Sequence, residues 1–579
     1  MFGSYIEKLE GSPLKKFFRL LSLDRQDIVL VYLYSLINAL VGLSLPLGIQ
    51  AIMTTVSVNS VTTSLIVLIV VVLVGILITS MLNVFQLTIM ERLQQRIFTR
   101  ATFEFASRIP RIKIETLIKE YSPELMNRFF DIMTIQKGLP KLIIDFTASV
   151  LQIFFSLILL AFYHPLFAFY GLFIVAILVV FIRLTTSKGL KTSMYESKYK
   201  YQAASWLEEL ARTMNIFKLA GYTDLPLKKT DKVVAQYLES RTSHFKILIN
   251  QYWFIVGFKF LMTGGILIIG TALLVNQQIN VGQFVASEIV IIIILGAAEK
   301  LHSGLEVMYD VLTGVEKISA ITDKEIENDH GIAFEDVDDG KGVKFEFRKV
   351  SYEYQINKHK AVNEVSFVIK SGQKVCFAGY SASGTSTMIN LCASMMHNYT
   401  GSILVNDLLL KNLNLISLRS YVGEKLAQNE ILNGTIAENI SMGRDDITFK
   451  DVIDACEKVN LRSFVENLPL GFDTPIVQND MTLPFSITAK INLARSVAEK
   501  PRLFLMDKPL QNLDKQDKVL ISDYLTDNSN KWTLIVASND IAMASRCDKI
   551  YIMKDGHVID SGTFEEIQSL PYFDEIFEK

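Results

Sequence analysis

Six apolar runs, at about residues 28–53, 65–90, 142–163, 166–184, 252–275 and 281–298, restrict what this chain can fold into more than any other feature. Most reach the ~20 residues that an α-helix needs to cross a bilayer. The connections at 54–64, 164–165 and 276–280 are short and carry no Lys or Arg, whereas those at 91–141 and 185–251 carry about ten basic residues each. The positive-inside rule therefore puts the long connections, and both termini, in the cytoplasm. Phe98, Thr102 and Phe105, and then Leu207, Leu210, Met214 and Phe217, recur at helical spacing, so the membrane helices are predicted to continue well past the bilayer. The stretch Pro123 to Asp131 marks the turn of the first excursion, where a short helix is expected to face a cytoplasmic domain, and Tyr222-Thr223-Asp224 lies within the second.

Ahead of the first run, residues 13–27 set Leu14, Phe17, Phe18, Leu20 and Leu21 against Lys15, Lys16, Arg19 and Arg25. This is a basic amphipathic helix, suited to a membrane surface or to packing on the domain. Two ionisable residues interrupt the late runs. Lys259 is near enough to the cytoplasmic end to reach water. Glu288 lies about 10 Å deep at ~1.5 Å per residue, and is expected to line a polar path or to bond another helix.

The chain is more than membrane. A mean hydropathy of +0.30 with 20% charged residues fits a membrane part joined to a soluble part. A net charge of -2 gives no reason to expect nucleic acid as a partner. The four cysteines lack metal-ligand spacing and read as reduced thiols. No presequence pattern is evident at the N-terminus.

In the second half, Gly379-Tyr380-Ser381-Ala382-Ser383-Gly384-Thr385-Ser386-Thr387 joins a β-rich run, 374–378, to an apolar helical run, 388–395. The pattern G-x-x-x-x-G-K-[ST] cradles phosphates on loop amides, neutralises them with its Lys and holds Mg²⁺ on its hydroxyl. Gly379, Gly384 and Ser386 fit it, but Thr385 stands in the place of the Lys; a simple Gly/Ser turn is the alternative. Leu503 to Asp507 ends an apolar strand on a carboxylate, as does the strand whose Asp supports Mg²⁺ in P-loop NTPases. Tyr354, before the alternating Val362, Val365, Phe367 and Ile369, could stack on a base or simply pack. Alternating strands and helices to the C-terminus indicate an α/β domain with a largely parallel core.

Taken together, these segments resemble a half-transporter of the ATP-binding cassette exporter type. The fold class this implies is a polytopic α-helical membrane domain of six helices, residues 1–321, joined by a linker, 322–342, to an α/β P-loop cassette, 343–579. Asn127 to Asp131 and Ile135-Gln136-Lys137 resemble most the bacterial type 1 secretion and toxin-export branch, without a peptidase-like domain before the first span. The resemblance implies a multi-pass protein of a bacterial cytoplasmic membrane, with its cassette in the cytoplasm. It further implies a second half-transporter as partner in a homo- or heterodimer, and an exported substrate. ATP and Mg²⁺ would be held by Tyr354, the 379–387 loop, Asp507 and Lys508, with Ser386 and Asp507 on the metal.

The same alignment exposes replacements. Setting Gly434 to Ile440 on the family's G-T-I-x-E-N-I puts Ala427 at the Q-loop glutamine. Setting Ile491 to Arg495 on I-A-L-A-R puts Leu483-Pro484-Phe485-Ser486-Ile487 over the signature LSGGQ. Lys508 occupies the catalytic glutamate position, and Asn539 the switch histidine position. Pro484 removes an amide and Phe485 fills space that glycine leaves open. A water-orienting carboxylate has become a cation. Two readings follow: an exporter half with weak, partner-dependent or no hydrolysis of its own, and a non-enzymatic pseudo-transporter acting as scaffold or regulator.

Overall fold

The structure is a computed structural model that describes residues 12–57, 63–117, 122–327, 329–338, 340–354, 358–425, 430–477 and 483–577. It divides into two compact units, Met1–Pro110 with Glu120–Lys324, and Arg111–Lys119 with Glu325–Lys579.

The first unit is helical throughout, because an isolated segment in lipid can satisfy its backbone only within itself. Among the described residues, six helical stretches are long and apolar enough to cross a membrane. The first is broken at Leu43 into α2 (Arg25–Gly42) and α3 (Ser44–Ser57). The others centre on α4 (Thr63–Arg108), α5 (Phe146–Tyr163), α6 (Pro165–Arg212), α7 (Leu225–Val275) and α8 (Val281–Thr322). At 51 residues, α7 is roughly 75 Å long, more than twice a bilayer's hydrocarbon thickness, so the expected extension beyond the membrane is present. On α4 the large apolar residues Ile66, Val67, Leu73 and Leu77 are exposed, a surface that suits lipid rather than water.

Helix α8 is the buried axis of this unit. Tyr309 on it is fully buried, and a Cβ on Gly189 of α6 would lie 2.4 Å from its ring, so only glycine lets the two helices approach this closely. The Gln251 amide donates to Thr185 Oγ1 at 3.0 Å and to the Tyr309 hydroxyl at 3.1 Å. Lys259 pairs with Glu299 across α7 and α8. The amphipathic helix α1 (Pro13–Ser22) packs on the domain through one face. Phe17 and Leu21 are buried, and Lys16 bonds Glu316 at 3.1 Å, while Leu14 and Phe18 remain exposed.

The second unit contains two larger sheets. An antiparallel one pairs β1 (Phe345–Tyr354), β2 (His359–Ile369), β4 (Thr400–Val405) and β5 (Leu408–Leu409) in the order β2-β1-β4-β5. The main one runs β12-β11-β3-β10-β9-β6, from β3 (Lys374–Gly379), β6 (Val422–Lys425), β9 (Leu503–Asp507), β10 (Thr533–Ala537), β11 (Lys549–Lys554) and β12 (His557–Gly562). All its pairings are parallel except β11 with β12. A two-residue ladder joins β7 (Gly434–Thr435) to β8 (Pro475–Ile476). In β2 the alternation of inward residues breaks at Glu364, whose φ is +47°, so Val362 and Val365 both face inward. All four cysteines are buried free thiols.

The excursion after α4 departs from its sequence reading. Arg111–Lys119, not the stretch at 123–131, belongs with the cassette. Ile112 bridges Ile326, the Lys113 amide donates to the Glu325 carbonyl at 3.0 Å, and Glu115 accepts from the Asn398 amide at 3.0 Å. The acidic stretch read as a linker is also packed there, with Phe334 fully buried and its amide donating to Ser417 Oγ at 2.7 Å.

Candidate nucleotide site

Strand β3 ends at Gly379, and the chain re-enters a helix, α9 (Thr385–Cys392), through a tight loop. Gly384 has φ +100°, and a Cβ there would lie 2.0 Å from the Ala361 carbonyl oxygen. No other residue type fits that backbone and that space. The loop closes through Ser383 N–H donating to the Tyr380 carbonyl, and Gly556 N–H donating to the Ser383 carbonyl, each at 3.1 Å. The cradle thus keeps its shape although Thr385 brings no charge.

Beside the loop lies a cavity of about 600 Å³, whose walls include Tyr354, residues 379–387, Lys508 and Asn539. The structure therefore gathers Tyr354, the 379–387 loop, Lys508 and Asn539 around one cavity, whereas Asp507 is not on its wall but buried behind it at the end of β9. Tyr354 both packs and faces the cavity: its hydroxyl bonds Thr387 Oγ1 at 3.2 Å, and its ring meets Tyr352 edge-on at 5.2 Å.

Ser386 lies near enough to the Asp507 carboxylate to pull its pKa down. Oδ1 of that carboxylate is buried without a hydrogen-bond partner. A hydroxyl and a carboxylate with an open buried acceptor are the oxygen donors a magnesium ion takes, so these two residues fit that ion. Burial pushes the Asp507 carboxyl above its ordinary value, against the pull of Ser386, Lys508 and Lys425.

Lys508 follows with φ +49° and an exposed side chain. It makes no ion pair among the described residues. Asp514, a possible partner in sequence, instead caps the helix Lys515–Thr526 by accepting the Asp517 amide at 2.8 Å. Asn539 does not reach into the cavity as a free side chain. Its Oδ1 accepts the Gly379 N–H at 3.1 Å, and its amide donates to the Gly379 carbonyl at 2.9 Å. Asn539 is therefore clamped to the first residue of the loop.

Sequence reasoning missed Lys425. This last residue of β6 is buried, and its ammonium donates to the carbonyls of Asp507 at 3.4 Å and Lys508 at 3.3 Å. Burial pushes its pKa down, and the Asp507 charge opposes that. The only signal was a lysine closing a short strand.

Other selected residues lie apart. Pro484 is the N-cap of α10 (Phe485–Ala498), and Phe485 beside it is 78% exposed. Ala427 lies outside the described residues. Glu288, on α8, is half-buried with Oε1 buried and unpartnered.

A long-helix membrane unit fused to a P-loop cassette defines a class of nucleotide-linked membrane protein, and comparison makes the class specific. The family model for the ABC transporter transmembrane region matches residues 28–298, and that for the ABC transporter domain matches 362–511. The chain is 24% identical to an uncharacterized ABC transporter ATP-binding protein, YfiC, of Bacillus subtilis, over 95% of this chain and 91% of that one. It is also 24% identical to a putative multidrug export ATP-binding/permease protein of Staphylococcus aureus, over 69% of this chain and 68% of that one. The structure of a bacterial Atm1-family ABC exporter with ATP bound superposes with a TM-score of 0.84 at 17% identity, covering 95% of this chain and 98% of the other. The chain belongs to the ABC transporters, as an exporter-type half-transporter with membrane and ATP-binding domains in one polypeptide. Such half-transporters sit in a bilayer and typically dimerise, and the domain implies ATP with Mg²⁺ as its ligand.

Proposed function

We propose that this chain is one half of a dimeric exporter in a bacterial cytoplasmic membrane, whose cassette lies in the cytoplasm and binds nucleotide weakly without hydrolysing it. The observation that carries this reading is a phosphate cradle complete in backbone beside a changed catalytic corner. Gly384 keeps the loop's required conformation, while Lys508 borders the cavity where a water-orienting carboxylate would be needed. Loop amides, the Ser386 hydroxyl and the Tyr354 ring supply binding, and the Lys508 ammonium supplies charge for a terminal phosphate. Each site in a dimer would combine one chain's loop with the other's signature segment, and this chain offers Pro484 and Phe485 for the latter. A partner with intact motifs would therefore still leave both sites incomplete. The likeness to a putative multidrug export protein supports outward movement of substrate; the secretion-branch assignment rests on residues 127–137 alone.

The test is nucleotide binding and phosphate release by the purified chain, alone and with any co-purifying half. Binding at millimolar ATP without release is expected. Robust hydrolysis by the chain alone would overturn this reading, and absence of binding would leave a scaffold or regulator.

A further inference from the structure

In the membrane unit, α6 and α8 line a cavity of about 560 Å³. Helix α6 contributes Lys191, Met194, Tyr195 and Lys198, which at intervals of three and four residues share one helix face. Helix α8 adds Glu316 and Lys317, and Arg128 reaches the same wall. The lining thus holds four cations and a single carboxylate. That carboxylate is already engaged from outside the cavity, because the buried Lys16 of α1 bonds it at 3.1 Å. Arg128 and Lys317 also interact with Asp131, which lines a second cavity across Thr313. Lys191 and Lys198 are exposed and make no ion pair among the described residues. The positive-inside bias accounts for an excess of basic residues in this connection as a whole. It does not account for cations from three separate segments converging on one cavity.

A basic cavity with the exposed side chains of Met194 and Tyr195 on its wall suits an anion joined to an apolar body. Its level in the molecule narrows the choice. Lys191 follows the apolar run that ends at residue 184 by about 10 Å along the helix axis, within a lysine side chain's length of the headgroup layer. Helix α1, tied to α8 beside the cavity by Lys16, leaves Leu14 and Phe18 exposed, as does a helix that lies in a membrane surface. Basic pockets between membrane helices on the cytoplasmic side take phosphate headgroups. We infer that this cavity binds the headgroup of an anionic phospholipid from the cytoplasmic leaflet, with Lys191 and Lys198 on the phosphate and Met194 and Tyr195 against the apolar part.

The full chain in neutral detergent is titrated with phosphatidylglycerol, and separately with zwitterionic phosphatidylcholine of the same acyl chains, and the lipid-bound fractions are read by native mass spectrometry. No nucleotide is present, so the proposed function stands or falls separately. Wild type is expected to bind the first phosphatidylglycerol at least about tenfold more tightly than phosphatidylcholine. Lys191→Gln/Lys198→Gln changes two exposed side chains and is expected to bring the two lipids within about threefold of each other. Lys228→Gln/Lys232→Gln removes the same charge from exposed positions on α7 outside the cavity, and is expected to keep the preference. No preference in wild type, a preference kept by Lys191→Gln/Lys198→Gln, or its equal loss in Lys228→Gln/Lys232→Gln would each overturn the inference. Millimolar inorganic phosphate is expected to leave lipid occupancy unchanged. Displacement of the lipid by phosphate would assign the cavity to a free anion and likewise overturn it.

Discussion

Glu115 is 7% exposed, and its carboxylate accepts hydrogen bonds from the His397 ring at 3.1 Å, from the His397 amide and from the Asn398 amide at 3.0 Å. Burial alone would raise its pKa, but these bonds outweigh burial and hold it at about 2, below the ordinary 4.5. A carboxylate depressed on folding stabilises the folded state above its unfolded pKa, and that contribution is lost as pH falls through the folded value. The cassette should therefore lose up to about 3 kcal/mol between roughly pH 4.5 and 2 from this residue. Thermal unfolding across that window checks it, and Glu115→Gln should flatten the dependence. Neither Glu115 nor Lys425 was legible in the sequence. Their significance comes from partners 282 and 82 residues away, and a lone charged residue carries no mark of such a partner. Gly379, Gly384, Ser386 and Asp507 were legible because local backbone geometry dictates their spacing.

The loop between β3 and α9 is set by its glycines, so Gly384→Ala tests the element itself. Alanine at φ +100° costs on the order of 1–3 kcal/mol, and its Cβ would strike the Ala361 carbonyl as well. Loss of nucleotide binding with a lowered unfolding temperature is the expected result; calorimetric titration and a thermal scan measure the two. Retained binding would show that the cradle does not depend on this conformation. Strands β3 and β9 could be read from sequence because a parallel core is apolar on both faces. The offset in β2 could not. A bulge at Glu364 shifts the inward set by one residue, and alternation alone does not reveal where a strand inserts one.

Across the whole molecule, Glu288 is the candidate pathway residue. A buried carboxylate oxygen without a partner costs several kcal/mol unless water or a substrate reaches it. If it lines the path, Glu288→Gln should change transport by roughly tenfold, the equivalent of one lost charged hydrogen bond, while the protein extracts and unfolds as before. Uptake into inverted vesicles gives the measurement, and unchanged transport would remove Glu288 from the path. The six spans were legible because hydrocarbon thickness sets a minimum length. The route of the chain between them was not, since the sequence pointed to 123–131 and the segment joined to the cassette is Arg111–Lys119.

That segment changes what counts as a separable part. The cassette is completed by nine residues encoded more than two hundred positions upstream of the rest of it. A fragment beginning at Glu325 would leave the amides of His397 and Asn398 without their carboxylate acceptor. A chimera spliced at that point would pair one lineage's cassette with another lineage's plug. Cutting this gene at its evident seam therefore divides a compact unit.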